Sequence, residues 1–378
     1  MANVLTDLAA DLYTAADVVG RELTGITSSS TINGNDAERA ALGGTVRSFF
    51  TREVVAIDTA PSMTIPEGTD QTVDNKTMTI SKSRAVQIPW RGEEIKSVNN
   101  GSGWSSIYGD QLQQAMRTLA NEMEVDLGVA AYQAASRSVG TAGTVPFASS
   151  FDHIAESRQI LVDNGCPIDQ LSLVLNTTAG TNLRNLANLQ KVNEAGSDSL
   201  LRQGTLLDLQ GMALKESAGI ASHTSSARTG TLINGASVAI GDKAIPVDTG
   251  SGVLVIGDNI TIAGDTNVYV VAAATAALIT LNTGLLVAPA DNAAVTVIAS
   301  YTGNLAFRKS ALELAIRAPA VPEGGDAADD SMIIQDPFSG LVFDVRSYKG
   351  YKKSMFEVSA AWGVKGWKPE PWYNNYFL

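Results

Sequence analysis

Two histidines, one cysteine and 39 acidic side chains are what this 378-residue chain offers for catalysis or metal binding. His153 stands in FDHIAE beside Asp152, which invites a Ser–His–Asp reading, but no G-x-S-x-G elbow supplies a nucleophile. His223 lies about seventy residues further on. Neither H-E-x-x-H nor a C-x-x-C pair is present, so the clustered ligands that a metal needs are missing. The glycines of NNGSGWSSIYGD and TGSGVLVIGD have neither dinucleotide-binding nor P-loop spacing. Glu93–Glu94 and Asp329–Asp330 are carboxylate pairs in polar stretches, and adjacency in sequence says little about a catalytic separation. No catalytic, cofactor-binding or metal-binding residue is expected.

The bulk numbers narrow the class further. The length allows two or three domains with a sizeable core. The formal charge of −12 would repel a phosphate backbone, so contact with DNA would be local or merely enclosing. Cys166 is the single cysteine, which rules out an internal disulfide. MANVLTDLAADLY carries acids where a secretory signal needs basic and apolar runs. VYVVAAATAALITL falls short of the roughly 20 residues that span a membrane. A soluble protein made in the cytoplasm is expected.

The elements come next. Val4, Leu5, Leu8, Leu12, Ala16 and Val19 recur at helical steps, with Asp7, Asp11 and Asp17 off the stripe. Such a helix either packs on its own domain or docks on a neighbouring chain. Residues 46 to 100 read as extended: KTMTISKSRAVQIPW alternates, is interrupted by Lys82 and Arg84, and can pair with FFTREVVAIDTA as a long hairpin. A hairpin with a charged middle lacks its own core and needs a partner surface. From about Ser105 to Ala135, Leu112, Ala115, Met116, Leu119, Met123, Leu127, Ala130 and Ala134 form the stripe of a rod about 45 Å long.

An α/β pattern follows. FDHIAESRQILVDNG is a helix closed by Gly165, LSLVLN a buried strand, and Thr177 a candidate cap. GTLLDL and MALKES read as short strands around the turn QG. Residues 227 to 300 shift to short Val/Ile/Thr runs broken by glycine, asparagine and aspartate, the mark of a small all-β module. NLAFRKSALELAIRA is then helix-like, with Asn304 as its cap, and the tail gives two strands. Its lysines and tryptophans fit a guarded sheet edge better than a nucleic-acid stacking surface.

This order of elements resembles the major capsid proteins of tailed phages, the Hong Kong 97-like fold. The module between LLRQGTLLDLQGMALKES and NLAFRKSALELAI, with LVFDVRSYKGYKKSMFEVSAAWGVKGWKPE after it, is most similar to the coat proteins of short-tailed Salmonella podoviruses. The resemblance implies an α+β fold: an N-terminal arm (1–45), an extended β-hairpin loop (46–104) and the spine helix of a peripheral domain (105–149). It further implies an axial domain in two parts (150–226 and 301–335), an inserted all-β domain (227–300) and C-terminal peripheral strands (336–378).

The function implied is that of a coat protein assembling into an icosahedral shell, as pentamers and hexamers, around double-stranded DNA bound without sequence preference. The partners implied are a scaffolding protein, a portal protein and, on the outside, decoration proteins. Neither a cofactor nor a membrane is involved, and the site of residence is the virion. Asp7, Asp11 and Asp17 are the candidate scaffold-docking residues. Lys82 and Arg84 are the candidate intersubunit contacts of the extended loop. The alternatives are an encapsulin-like compartment shell and a glycan-binding surface protein using the β-module.

Overall fold

The computed structural model describes residues 9–22, 25–51, 56, 58–65, 73–99, 104–191, 208–235 and 238–367. It opens with helix α1 (Ala9–Glu22), one helical turn α2 (Ile26–Ser29) and strand β1 (Thr31–Ala40). Strands β2 (Thr45–Thr51) and β3 (Val73–Thr79) pair with each other, and β4 (Lys82–Arg91) and helix α3 (Gly92–Asn99) lead to α4 (Trp104–Ala134). Thus the alternating run read as one strand breaks at Ile80–Ser81, and its halves join different sheets.

With 31 residues, α4 is about 46 Å long. Among the described residues no helix is long and apolar enough to cross a membrane. Its stripe is covered in place: Leu112, Met116, Leu119, Met123, Leu127 and Ala131 are all buried in one cluster. On one side lies α1, whose Leu12, Ala15, Ala16 and Val19 join that cluster. Val4, Leu5 and Leu8 of the arm's stripe lie outside the described residues.

On the other side lies a six-stranded sheet. After the module come β15 (Tyr301–Thr302), β16 (Leu305–Arg308), β17 (Leu312–Pro319), β18 (Ala328–Gln335), β19 (Val342–Gly350) and β20 (Lys353–Gly366). The 14-residue β20 takes β4 along one edge, and β19 then β17 along the other. Strand β18 lies outside β19, and β1 runs parallel outside β17. One sheet therefore joins both ends of the chain.

The helix expected over NLAFRKSALELAIRA is absent. The segment forms β16, a 3-10 turn (Lys309–Ala311) and β17. Strand β17 is buried on both faces, so its apolar residues show no period of two and mimic a buried helix. Asn304 caps nothing there; its Oδ1 accepts from the Asn176 amide at 2.8 Å. The stretch 301–335 is also shared between sheets, since β16 pairs with β6 while β17 and β18 belong to the β20 sheet.

Between α4 and the module lie β5 (Arg137–Ser138), α5 (Asp152–Asp163), β6 (Leu171–Leu175), α6 (Thr177–Asn185), α7 (Ala187–Gln190), β7 (Ala213–Glu216) and β8 (Ser222–His223). Gly165, at φ +76°, follows α5 as expected. The cap of α6 is Asn176, one residue before the Thr177 expected: its Oδ1 accepts from the Ala179 amide at 2.8 Å. The fully buried β6 runs between β16 and β7 in a three-stranded sheet. Most of the strand expected over GTLLDL lies outside the described residues; its end pairs Leu209 with Met212 across the Gln210–Gly211 turn.

Strands β9 (Thr231–Ile233), β10 (Ala244–Asp248), β11 (Asn259–Ile262), β12 (Val268–Ala274), β13 (Leu278–Leu281) and β14 (Ala294–Val297) pair in the order β11–β14–β9–β10–β13–β12. A β11–β12 ladder closes the ring into a six-stranded barrel. Its inside is aliphatic, with Ile245, Ile260, Val271 and Ile279 buried around Tyr269. The Tyr269 hydroxyl donates to Asp265 at 2.6 Å and accepts from the Leu286 amide at 3.0 Å. Burial and the Asp265 carboxylate push this phenol up to about 12.

The arm is fastened by one buried carboxylate. Glu124 of α4 accepts from the amides of Ile26 and Thr27 at 2.6 and 2.7 Å, from the Thr27 hydroxyl, and from Ser217 at 2.7 Å. Gly25 precedes α2 without a capping side chain, so the spine supplies the cap that the turn lacks. Glycine is required at the edge of this nest: a Cβ on Gly25 would sit 2.1 Å from Glu124 Oε1. Replacing Glu124 by Ala leaves buried donors without an acceptor, and a loss of about 2–4 kcal/mol is expected. Urea unfolding of Glu124→Ala checks this, with Glu124→Gln expected to lie between it and the parent.

Candidate functional site

The surfaces available to a partner are built on this frame. Among the described residues, strands β2 and β3 pair only with each other, as a ribbon. Its base is pinned where Met78 and Ile80 pack on Ala315, Ala361 and Trp367. Beyond the paired strands, residues 58 to 65 are all exposed, and Met63 and Ile65 keep 106% and 91% of their surface in solvent.

The sequence-predicted residues divide. Asp7 lies outside the described residues. Asp11 is exposed on α1, and Asp17 is held by Arg21 one turn away at 2.9 Å. Lys82 and Arg84 sit on β4 and reach acids of the spine: Lys82 meets Asp126 at 2.7 Å and Arg84 meets Glu122 at 3.1 Å. Both are therefore engaged within the chain, although much of each side chain remains in solvent. An exposed pair of this kind is worth about 0–1 kcal/mol. Asp126 does more than hold Lys82, because its Oδ2 accepts from the Nε1 of the buried Trp362 at 2.8 Å. Trp362 stands opposite Lys82 in the β4–β20 register, so the strand pairing delivers both donors to one carboxylate.

The two histidines sit on different elements. His153, on α5, meets the Phe147 ring edge-on at 5.9 Å. His223, on β8, is buried, and its Nε2 lies 2.9 Å from Asp258 Oδ1. Burial pushes the Asp258 carboxyl up, and hydrogen bonds from His223, Ser226 and Val255 outweigh it, leaving it below the usual carboxylate range. Among the described residues no group of three or more His, Cys, Asp or Glu is placed to hold a metal.

No family model and no curated protein matches the sequence. Among solved structures the chain is similar to the capsid structure of the cyanophage P-SCSP1u. That match has 11% identity and a TM-score of 0.49, and covers 92% of this chain and 85% of that one. It is also similar to the mature capsid of bacteriophage PhiM1, at 10% identity and a TM-score of 0.45 over 94% and 86%. A virus-like particle from Pyrococcus furiosus matches at 9% identity and a TM-score of 0.41 over 98% of both chains. These likenesses run along most of the chain.

Three residues escaped the sequence reading. In the sequence Glu124 lies off the apolar stripe of the spine together with Glu122 and Asp126, and its own position does not mark it out among them. Its signal was Gly128 one turn later, a small residue on the same face, where Ile26 and the Gly219 carbonyl approach closely. Asp258 lay in a glycine-rich turn and gave no sign. Asn282, in the barrel, donates through Nδ2 to the carbonyls of Gln133 and Ala135 at 2.8 and 2.7 Å. It thereby satisfies carbonyls that the end of α4 leaves unpaired. Asn282→Ala is expected to cost about 1–2 kcal/mol and to speed amide exchange in the last turns of α4. Hydrogen exchange of the variant checks this.

Proposed function

We propose that this chain is the major capsid protein of a tailed bacteriophage, assembling in many copies into an icosahedral shell around the genome. The observation that carries the reading is the β2–β3 ribbon. Among the described residues it pairs only with itself, and beyond it the aliphatic side chains of Met63 and Ile65 are exposed. Such an element is stabilised by a neighbouring copy, and repeated heterologous contacts close a shell when the rotations close. A spine clothed by a sheet and an arm, with an α/β part and a barrel beyond it, is the order that the Hong Kong 97-like resemblance implies. A shell subunit needs no active site.

The finer assignments rest on the same reading. Residues 46–104 reach over a neighbouring subunit, 105–149 and 336–378 build the peripheral domain, and 150–226 with part of 301–335 face the fivefold and sixfold axes. The barrel of 227–300 is the inserted domain that marks the short-tailed Salmonella podovirus type. The net charge of −12 keeps packaged double-stranded DNA from adhering to the wall. Assembly is scaffold-assisted, and a portal protein occupies one vertex.

Electron microscopy of the chain expressed alone and with a cognate scaffold tests the reading. Closed shells, tubes or spirals are expected, and monomers in both preparations would overturn it. Met63→Asp with Ile65→Asp should leave the subunit folded and lower the yield of shells at least tenfold. Charge reversal at Asp7, Asp11 and Asp17 together is expected to reduce scaffold incorporation, read by gel analysis of purified particles. Unchanged incorporation would remove these residues from the docking site.

A further inference from the structure

A cavity of about 640 Å³ opens where the segment 138–147, the three-stranded sheet and the barrel meet. That is within the range of small-molecule sites, roughly 300–1,000 Å³. The chain's only two histidines, His153 and His223, both line it. We propose that this cavity binds a neutral, polyhydroxylated ligand the size of a mono- or disaccharide. The proposal stands apart from the shell reading and does not need it.

The lining excludes the other classes. Among the described residues it contains hydroxyls, the amides of Asn176, Asn259 and Asn304, and the two imidazoles, but no Asp, Glu, Lys or Arg. A phosphate, a carboxylate or an ammonium group would enter without a counter-charge, at the desolvation cost of a buried ion. A purely apolar occupant would strip water from these polar groups and leave them unpaired. A sugar both donates and accepts, and its C–H faces match the apolar wall of Phe147, Leu173 and Ile298.

The imidazoles make the site more than a polar hollow. The Asp258 carboxylate accepts only, so His223 Nε2 carries a proton and donates it to that carboxylate. The His223 ring packs against both Tyr132 and Tyr301, each with its centroid 5.3 Å away, and the two tyrosines meet each other edge-on at 6.4 Å. His153 enters the lining with the Cδ2–Nε2 edge of its ring beside Gly140, while its Nδ1 is sealed from solvent. Three separate parts of the chain form the walls, so an occupant would tie the barrel to the body.

Calorimetric titration of the full-length chain with glucose, galactose, N-acetylglucosamine and maltose tests this, each beside glucuronate and glucose 6-phosphate. At least one neutral sugar is expected to bind, with the charged compounds weaker by about tenfold or more. Thr178 and Thr144 are exposed residues of the lining, and Thr178→Trp or Thr144→Trp should abolish the heat without lowering the unliganded melting temperature. Binding by none of the four neutral sugars overturns the proposal. So does equal binding by the charged compounds, or undiminished binding by both folded variants.

Discussion

Two carboxylates on one helix hold this chain together from opposite sides. Glu124 and Asp126 are two residues apart, which on an α-helix turns them about 200° from each other. Glu124 faces the arm and gathers backbone amides of α2 together with Ser217. Asp126 faces the sheet and gathers Trp362 and Lys82. A rod of 31 residues cannot bury itself, and its apolar stripe is satisfied only if both coverings arrive. The carboxylates fix where each covering stops, because a buried acceptor with several donors tolerates little sliding.

The barrel belongs to the same arrangement. Its Asn282 closes the carbonyl end of the spine, β12 pairs with β5 just beyond that end, and Asp258 holds His223. Tyr301 adds a hydrogen bond to the Gly257 carbonyl at 2.7 Å. The spine is thus dressed along its length by the arm and sheet and finished at its terminus by a module far away in sequence. Long-range contacts of this kind make the subunit one cooperative piece, although three of its sheets have separate cores.

What the sequence made legible follows from periodicity. The spine declared itself because its stripe runs unbroken over about six turns, and the tail because its strands have one half-polar face. The barrel was visible through turn residues at short intervals, although its closure was not, since ladder partners leave no mark on a single strand. Strand β17 was misread because both of its faces are buried. Thr177 was taken for the cap because both it and the neighbouring Asn176 are capping types, and the structure chooses Asn176, the better of the two. Lys82 and Arg84 read as a charged interruption in water, because their partners Asp126 and Glu122 lie some forty residues ahead. Glu124 was illegible for the same reason: a buried acid is recognised by its donors, and these come from the arm and from Ser217.

The continuity of β3 into β4 has a mechanical consequence. Thr79 and Lys82 are separated by two residues, so tension applied to the free ribbon enters β4 along its own backbone. Ten residue pairs join β4 to β20, and a pull along the strand loads them in parallel, as shear. A pull across the sheet would break them one after another, as a zipper opens. The ribbon is therefore strong in the direction of the strand that roots it and weak across it. A layer of such subunits would resist stretching in its own plane far better than peeling out of it.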